Sequence, residues 1–136
     1  MDLVKAMALA AKGMKAQGVR MRVISENLAN AETTPTTKEE DPYRRQVVTF
    51  KNEVNRADQL KYVEVGDIKP DKSDFLVKYD PHHPAADEQG YIRTPNVNSL
   101  IEMMDMREAQ RSYEANLGVI EMARSMLTRM VDLLRG

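Results

Sequence analysis

The sequence predicts an α+β fold: long N- and C-terminal α-helices paired as a coiled-coil-like hairpin, with a small β-rich insert between them. Three observations carry this. All ten methionines lie in 1–21 or 103–130. All six prolines and six of the seven aromatics (Tyr43, Phe50, Tyr62, Phe75, Tyr79, Tyr91) lie between those stretches. The apolar spacing is heptad-like at both ends and alternating in the middle. The expected division is a discontinuous helical domain of 1–31 and 98–136, with a loop and β-rich insert at 32–97.

The first helix is expected over 3–28. Leu3, Met7, Ala10, Met14, Gln17, Met21, Ile24 and Leu28 form one strict heptad seam with a single polar member. A seam that narrow suits a partner helix better than a broad core. The helix should stop near Asn27-Leu28-Ala29-Asn30, with Asn30 able to take a left-handed C-terminal conformation. Thr33-Thr34-Pro35 then blocks continuation. Residues 32–42 are polar and turn-rich and read as a mobile loop.

The middle reads as three or four short strands in one small sheet: 43–50, 62–68, 75–79 and a last one at Tyr91-Ile92. Pro70-Asp71-Lys72-Ser73-Asp74 reads as a hairpin turn, and Asp80-Pro81-His82-His83-Pro84 as a second turn.

From about 98 to 134 one long helix is expected, opened by a capping box of Ser99 and Glu102. Two heptad seams run side by side along it. One is Met103, Met106, Gln110, Tyr113, Leu117, Ile120, Arg124, Leu127, Val131 and Leu134. The other is Ala109, Ser112, Asn116, Val119, Ala123, Met126, Met130 and Leu133. Two seams at one end and one at the other exceed what a single intramolecular pairing buries, so the remainder is expected to be intermolecular. Methionine suits such contacts because it repacks easily. Gln17, Gln110 and Arg124 are candidates for setting register. Gly118 either permits a close helix approach or is tolerated there.

The expected assembly interface therefore comprises Leu3, Met7, Met14, Met21, Ile24, Asn27, Leu28 and Asn30 at the first end. At the other end it comprises Tyr113, Asn116, Leu117, Val119, Ile120, Met126, Leu127, Met130, Val131 and Leu134.

Composition excludes several other functions. With 136 residues the chain has room for one domain. Twenty basic against 21 acidic residues give no nucleic-acid footprint. No cysteine is present, so no disulfide, thiolate metal site or cysteine nucleophile is available. No apolar run reaches the roughly 18 residues of a membrane span. The run at 6–11 is shorter than the roughly 7–15-residue core of a secretory signal, so any export is expected to use no cleaved one. There is no Gly-rich phosphate loop and no nucleophile elbow.

Three other readings compete with this one. His82-His83 beside Asp80, Asp87 and Glu88 would make a metal-dependent hydrolase only if three ligands converged; a rigid turn with polar tips is the simpler reading. Lys5, Lys12, Lys15, Arg20 and Arg22 would suit a membrane surface, but the stripe beside them lacks Trp and Phe. A soluble coiled-coil adaptor or export chaperone would use the same seams without polymerising.

Four stretches carry a resemblance. Ser25-Glu26-Asn27-Leu28-Ala29-Asn30-Ala31-Glu32-Thr33 is similar to the signature ending the first helix of flagellar rod and hook axial proteins. Tyr43-Arg44-Arg45-Gln46-Val47-Val48-Thr49-Phe50 resembles a first strand in the proximal-rod members. The turn from Tyr79-Asp80-Pro81-His82-His83-Pro84 to Gly90-Tyr91-Ile92 resembles theirs. So does Pro95-Asn96-Val97-Asn98 followed by Arg111-Ser112-Tyr113-Glu114-Ala115-Asn116. The resemblance implies a structural rod subunit, not an enzyme, exported through the flagellar type III apparatus without a cleaved signal peptide. It implies polymerisation in the periplasm into a torque-carrying shaft around the export channel, with the terminal helices forming the inner wall. Implied partners are other rod proteins, copies of the chain itself and neighbouring basal-body proteins. No cofactor, nucleic acid or small-molecule substrate is implied.

Overall fold

The computed structural model describes residues 2–136. The element order is α1 (Leu3–Ala29), β1 (Gln46–Val54), β2 (Lys61–Pro70), β3 (Leu76–Tyr79), β4 (Tyr91–Thr94) and α2 (Ser99–Arg135). The α+β class and both terminal helices are as expected. The 37 residues of α2 span about 55 Å and the 27 of α1 about 40 Å.

Both helix starts are set by side-chain caps. Asp2 Oδ1 accepts from Val4 N at 2.9 Å and Lys5 N at 3.4 Å. At α2 the cap is Asn98, whose Oδ1 accepts from Leu100 N and Ile101 N. The expected Ser99–Glu102 capping box does not form, because Glu102 is drawn inward to a buried ion pair described below. Asn30 ends α1, but at φ −102° rather than in the left-handed region. Its side-chain amide instead donates to Glu26 O at 2.8 Å, satisfying a carbonyl of the last turn.

The insert is two separate antiparallel ribbons, not one sheet. β1 pairs with β2, Gln46 opposite Pro70 and Val54 opposite Lys61, with a register irregularity between Val48 and Phe50. The turn joining them is closed by Asn55 and Asp58: Asn55 Oδ1 accepts from Ala57 N, and Asp58 Oδ1 from Leu60 N. That local Asx chemistry made the hairpin, at 55–60 and not at Pro70–Asp74. The segment after Pro70 crosses from one ribbon to the other. β3 pairs with β4, Leu76 opposite Thr94 and Tyr79 opposite Tyr91. Their connection carries Gly90 at φ +88°, where an added Cβ would lie 2.9 Å from the Tyr79 ring and 3.0 Å from Pro81. Both conformation and space therefore require glycine there.

The loop at 32–42 is tied down. Pro35 and Pro42 are buried. Arg93 donates to Asp41 Oδ1 at 2.8 Å, and Thr36 N and Oγ1 both donate to Glu40 Oε2. His83 Nδ1 accepts from Ala85 N at 3.0 Å, and its Nε2 lies 3.1 Å from Thr34 Oγ1. An Nδ1 that accepts leaves the ring proton on Nε2 in the neutral form, so the neutral ring donates to Thr34. His83 thus pins loop to turn, the structural reading of the histidine pair. Among the described residues no group of three or more His, Asp or Glu is placed to hold a metal ion.

The helices pack antiparallel: Arg20 pairs with Asp105 and Glu108, and Gly13 lies against Asn116. The seam is lined by small side chains, with Ala10, Ala109 and Ala123 buried. An added Cβ on Gly13 would meet Asn116 Nδ2 at 2.9 Å. Gly13, not Gly118, marks the close approach; nothing lies within 4 Å of a Cβ on Gly118.

Two expectations about the seams change. α1 is not a narrow stripe, because β2 packs on a second face of it, with Ala16, Val19, Val63 and Val65 lining the groove between them. On α2 the inward face combines half of each expected seam. Ala109 and Ala123 are buried with Asn116 between them, while Met106, Tyr113, Ile120 and Leu127 are half-buried. Positions 109, 116 and 123 recur every seven residues, as do 106, 113, 120 and 127, and the two rows adjoin on a helix surface.

Candidate functional site: a helical assembly surface and the polar hub behind it

The end of α1, the start of β1 and the start of α2 meet at one buried polar cluster. Asn27 and Glu102 are essentially inaccessible, at 1% and 0% exposure. Asn27 Nδ2 donates to Gln46 O at 2.8 Å and to Glu102 Oε2 at 3.3 Å. Its Oδ1 accepts from Tyr43 OH at 2.8 Å and from Gln46 N at 2.9 Å. The side-chain amide is thus used on both ends, and its orientation is fixed.

Glu102 is buried because Arg45 is there to meet it: Arg45 Nε donates to Glu102 Oε1. The same guanidinium reaches Asp71 Oδ2 at 3.1 Å and Asp105 Oδ2 at 3.6 Å. Burial pulls the Arg45 pKa down, but Glu102 and Asp71 outweigh it, and the net displacement is upward. Ser73 N–H donating to Asp71, with Arg45 beside it, holds the Asp71 carboxyl below its ordinary range. Burial, with Glu26 and Glu102 adding to it, pushes the Tyr43 phenol up.

Asn96 completes the hub. Its Oδ1 accepts from Arg45 N at 2.8 Å, and its Nδ2 donates to Asp71 O and Ser73 O at 3.0 and 3.1 Å. Arg44 donates to the same two carbonyls. The crossing segment is therefore clamped from both sides, which is why 70–74 does not turn back on itself. From the sequence, Asn27 reads as an interface residue at the end of the first helix and Glu102 as half of a capping box, and Arg45 and Asn96 carry no role. The available signal is that Asn27, Arg45 and Asn96 each lie in one of the stretches that carry the resemblance.

The expected interface residues divide into two groups. Ile24 and Asn27 are buried, while Leu3, Met7, Met14, Met21, Leu28, Asn30, Tyr113, Asn116, Ile120 and Leu127 are half-buried. Leu117, Val119, Met126, Met130, Val131 and Leu134 are exposed. Gln110 and Arg124 are exposed too, so neither sets register within the chain. Gln17 lines the α1–α2 groove, and its Oε1 is buried without a hydrogen-bond partner.

That exposed face continues to the end of the molecule. The antiparallel spacing brings Leu3 level with Met126, so residues 127–135 outrun α1 by roughly 13 Å. On this tail Leu133 and Leu134 are 81% and 87% exposed. None of the helices among the described residues is long and apolar enough to cross a membrane.

Comparisons with known proteins match this arrangement. A family model described as "Flagella basal body rod protein" matches residues 7–35, which is α1 with its exit turn. Another, described as "Flagellar basal body rod FlgEFG protein C-terminal", matches residues 88–133, from the turn before β4 through most of α2. Asn27, Asn96 and Glu102 lie within these matches, while Tyr43, Arg45 and Asp71 lie between them. The chain is 47% identical to the flagellar basal-body rod protein FlgC of Agrobacterium fabrum, over 98% of this chain and 96% of the relative. It is 39% identical to FlgC of Borreliella burgdorferi over the whole of both chains, and 39% identical to FlgC of Aquifex aeolicus over 97% of each. With likeness of this extent along its full length, the chain belongs to the FlgC family of flagellar basal-body rod proteins.

Proposed function

We propose that this chain is a structural subunit of the proximal part of the flagellar rod, building a torque-carrying tube through its terminal helices. The observation that carries this is the exposed apolar face of α2 and the tail that outruns α1. In this reading 1–31 and 98–136 form the tube-forming helical domain, pairing as a coiled coil, and 32–97 makes lateral contacts. The interface is the exposed set from Leu117 to Leu134. The inward set, Leu3 to Leu28 with Asn27, Asn30, Tyr113, Asn116, Ile120 and Leu127, stiffens the hairpin.

The mechanics follow from knobs and holes. Sliding one helix past another by a residue breaks every seam contact at once, so staggered seams resist slip under torque. The buried hub adds a second lock at one end of the hairpin, where a shift would leave Glu102 unpaired in the interior, a cost of about 3–5 kcal/mol. The chain is exported by the flagellar type III route without a cleaved signal. It works in the periplasm around the export channel, against copies of itself, other rod proteins and neighbouring basal-body proteins, with no cofactor.

The alternative, a soluble coiled-coil adaptor or export chaperone, would use the same helices without polymerising. The full-length likeness to relatives named as rod proteins supports the rod reading instead. Hydrogen exchange on the purified chain separates the two. A rod subunit exchanges quickly over 128–136, the α2 tail beyond α1, and is protected in the packed hairpin and around the hub. Strong protection of both ends in a stable dilute dimer would favour the adaptor.

A further inference from the structure

The loop at 32–42 and the turn that follows β3 are far apart in sequence and meet at His83. The ring uses both of its nitrogens there. Nδ1 accepts from Ala85 N at 3.0 Å, and Nε2 lies 3.1 Å from Thr34 Oγ1. The bond to Ala85 spans two residues, as in an Asx turn, with an imidazole nitrogen in place of the side-chain carbonyl. Ala85 is 5% exposed, so its N–H has little water to turn to if the ring leaves.

Other ties between the two segments are few. Arg93 holds one end of the loop at Asp41 and Glu40, and Asn30 holds the other at Thr33. Between those ends, the contact of His83 with Thr34 is the one hydrogen bond among the described residues that joins 34–39 to 80–90. Lys38 lies 3.9 Å from Glu88, but both side chains are exposed, and such a pair contributes little.

Histidine is the side chain that ordinarily changes charge between pH 5 and 8. The chain has two, His82 and His83, and His82 is exposed. The charged groups of the loop are Glu32, Lys38, Glu39, Glu40 and Asp41. Those of the turn are Asp80, Asp87 and Glu88, with Arg93 on β4. Hydrogen bonds from Thr36 hold the Glu40 carboxyl below its ordinary range, and the Tyr91 N–H does the same for Asp87. Both keep their charge while an imidazole titrates.

We infer that His83 is an acid-opened latch within the insert. With its single proton on Nε2, the ring accepts from Ala85 and donates to Thr34, and the loop is held on the turn. A second proton comes from solvent to Nδ1. Two N–H groups then face each other where one donated to the other, and the ring has to leave Ala85. The ring is rigid, so withdrawing Nδ1 also carries Nε2 away from Thr34. Residues 34–39 come off the turn while both ends of the loop stay tied. The latch belongs to the single chain and does not depend on the rod reading. Within that reading, acid changes the surface that 32–97 offers to neighbours.

The test titrates the full-length chain, labelled with 15N, from about pH 8 to about pH 5 and follows it by two-dimensional NMR. The Ala85 amide resonance should move in step with the His83 imidazole. Backbone order parameters over 34–39 should fall from about 0.85 to below about 0.6. In His83→Asn the side-chain oxygen can still accept from Ala85 N but takes no proton. Neither signal should then respond to pH, whereas His82→Asn should leave both responses intact. An Ala85 amide that stays still while the His83 imidazole titrates would overturn the latch. So would a response that persists in His83→Asn or disappears in His82→Asn. If His83→Asn does not fold, the natural chain decides: order over 34–39 that is equal at both ends of the titration overturns the latch.

Discussion

Asn27 and Glu102, 75 positions apart in sequence, share a buried hydrogen bond of 3.3 Å that joins the last turn of α1 to the first turn of α2. Every polar atom of the Asn27 side chain is engaged, and Glu102 also receives Arg45. Asn27→Asp keeps the shape, removes the donor and sets a second carboxylate beside Glu102. A loss of about 2–4 kcal/mol is expected. Urea unfolding followed by circular dichroism measures it, and a loss below about 1 kcal/mol would mean that the hub does not hold the hairpin.

The Gly13–Asn116 approach yields a coupled pair. Gly13→Ala places a methyl 2.9 Å from Asn116 Nδ2, whose donation to Ser112 O at 3.0 Å would have to give. The single change should be neutral to destabilising by about 1 kcal/mol, although alanine alone favours a helix by a similar amount. Adding Asn116→Ala removes the clash. The double variant should then exceed the sum of the singles by about 1 kcal/mol, which a double-mutant cycle reads directly.

Gln17 is the polar member of the α1 seam, and its Oε1 is buried without a partner. A buried acceptor left unmade costs about 1–3 kcal/mol. Gln17→Leu should raise the melting temperature of the isolated chain by several degrees. An unchanged or lower value would mean that the carbonyl is satisfied in solution.

Asp71 gives the pH dependence. Its folded carboxyl titrates below the ordinary value because Ser73 N–H donates to it and Arg45 lies beside it. A lowered folded pKa stabilises the fold fully above the unfolded value of about 3.9, and that contribution is lost as pH falls through the folded value. The stability gap between the natural chain and Asp71→Asn should be constant from pH 5 to 7 and should narrow below about pH 4. A gap that does not change with pH would remove the ionised carboxylate from the account.

Helix and turn hydrogen bonds join residues close in sequence, and so the sequence was legible wherever neighbours decide. The helical ends, the break after Asn30 and the β character of the centre all follow from local periodicity and turn residues. The hairpin at 55–60 was legible too, in Asn55 and Asp58, but the proline at 70 drew the turn to the wrong place.

The sequence by itself determined that two heptad-patterned helices flank a β insert, because heptad spacing places side chains at fixed angles around a helix whatever surrounds it. Only the tertiary structure decided which angle faces inward. The α2 face that packs takes Ala109, Asn116 and Ala123 from one seam and Met106, Tyr113, Ile120 and Leu127 from the other, because α1 brings Gly13 and Ala10 close enough to admit only small residues at its centre. Tertiary structure alone also decided the hub. Glu102 reads as a cap until Arg45, just before β1 and 57 positions away, gives its buried charge a partner.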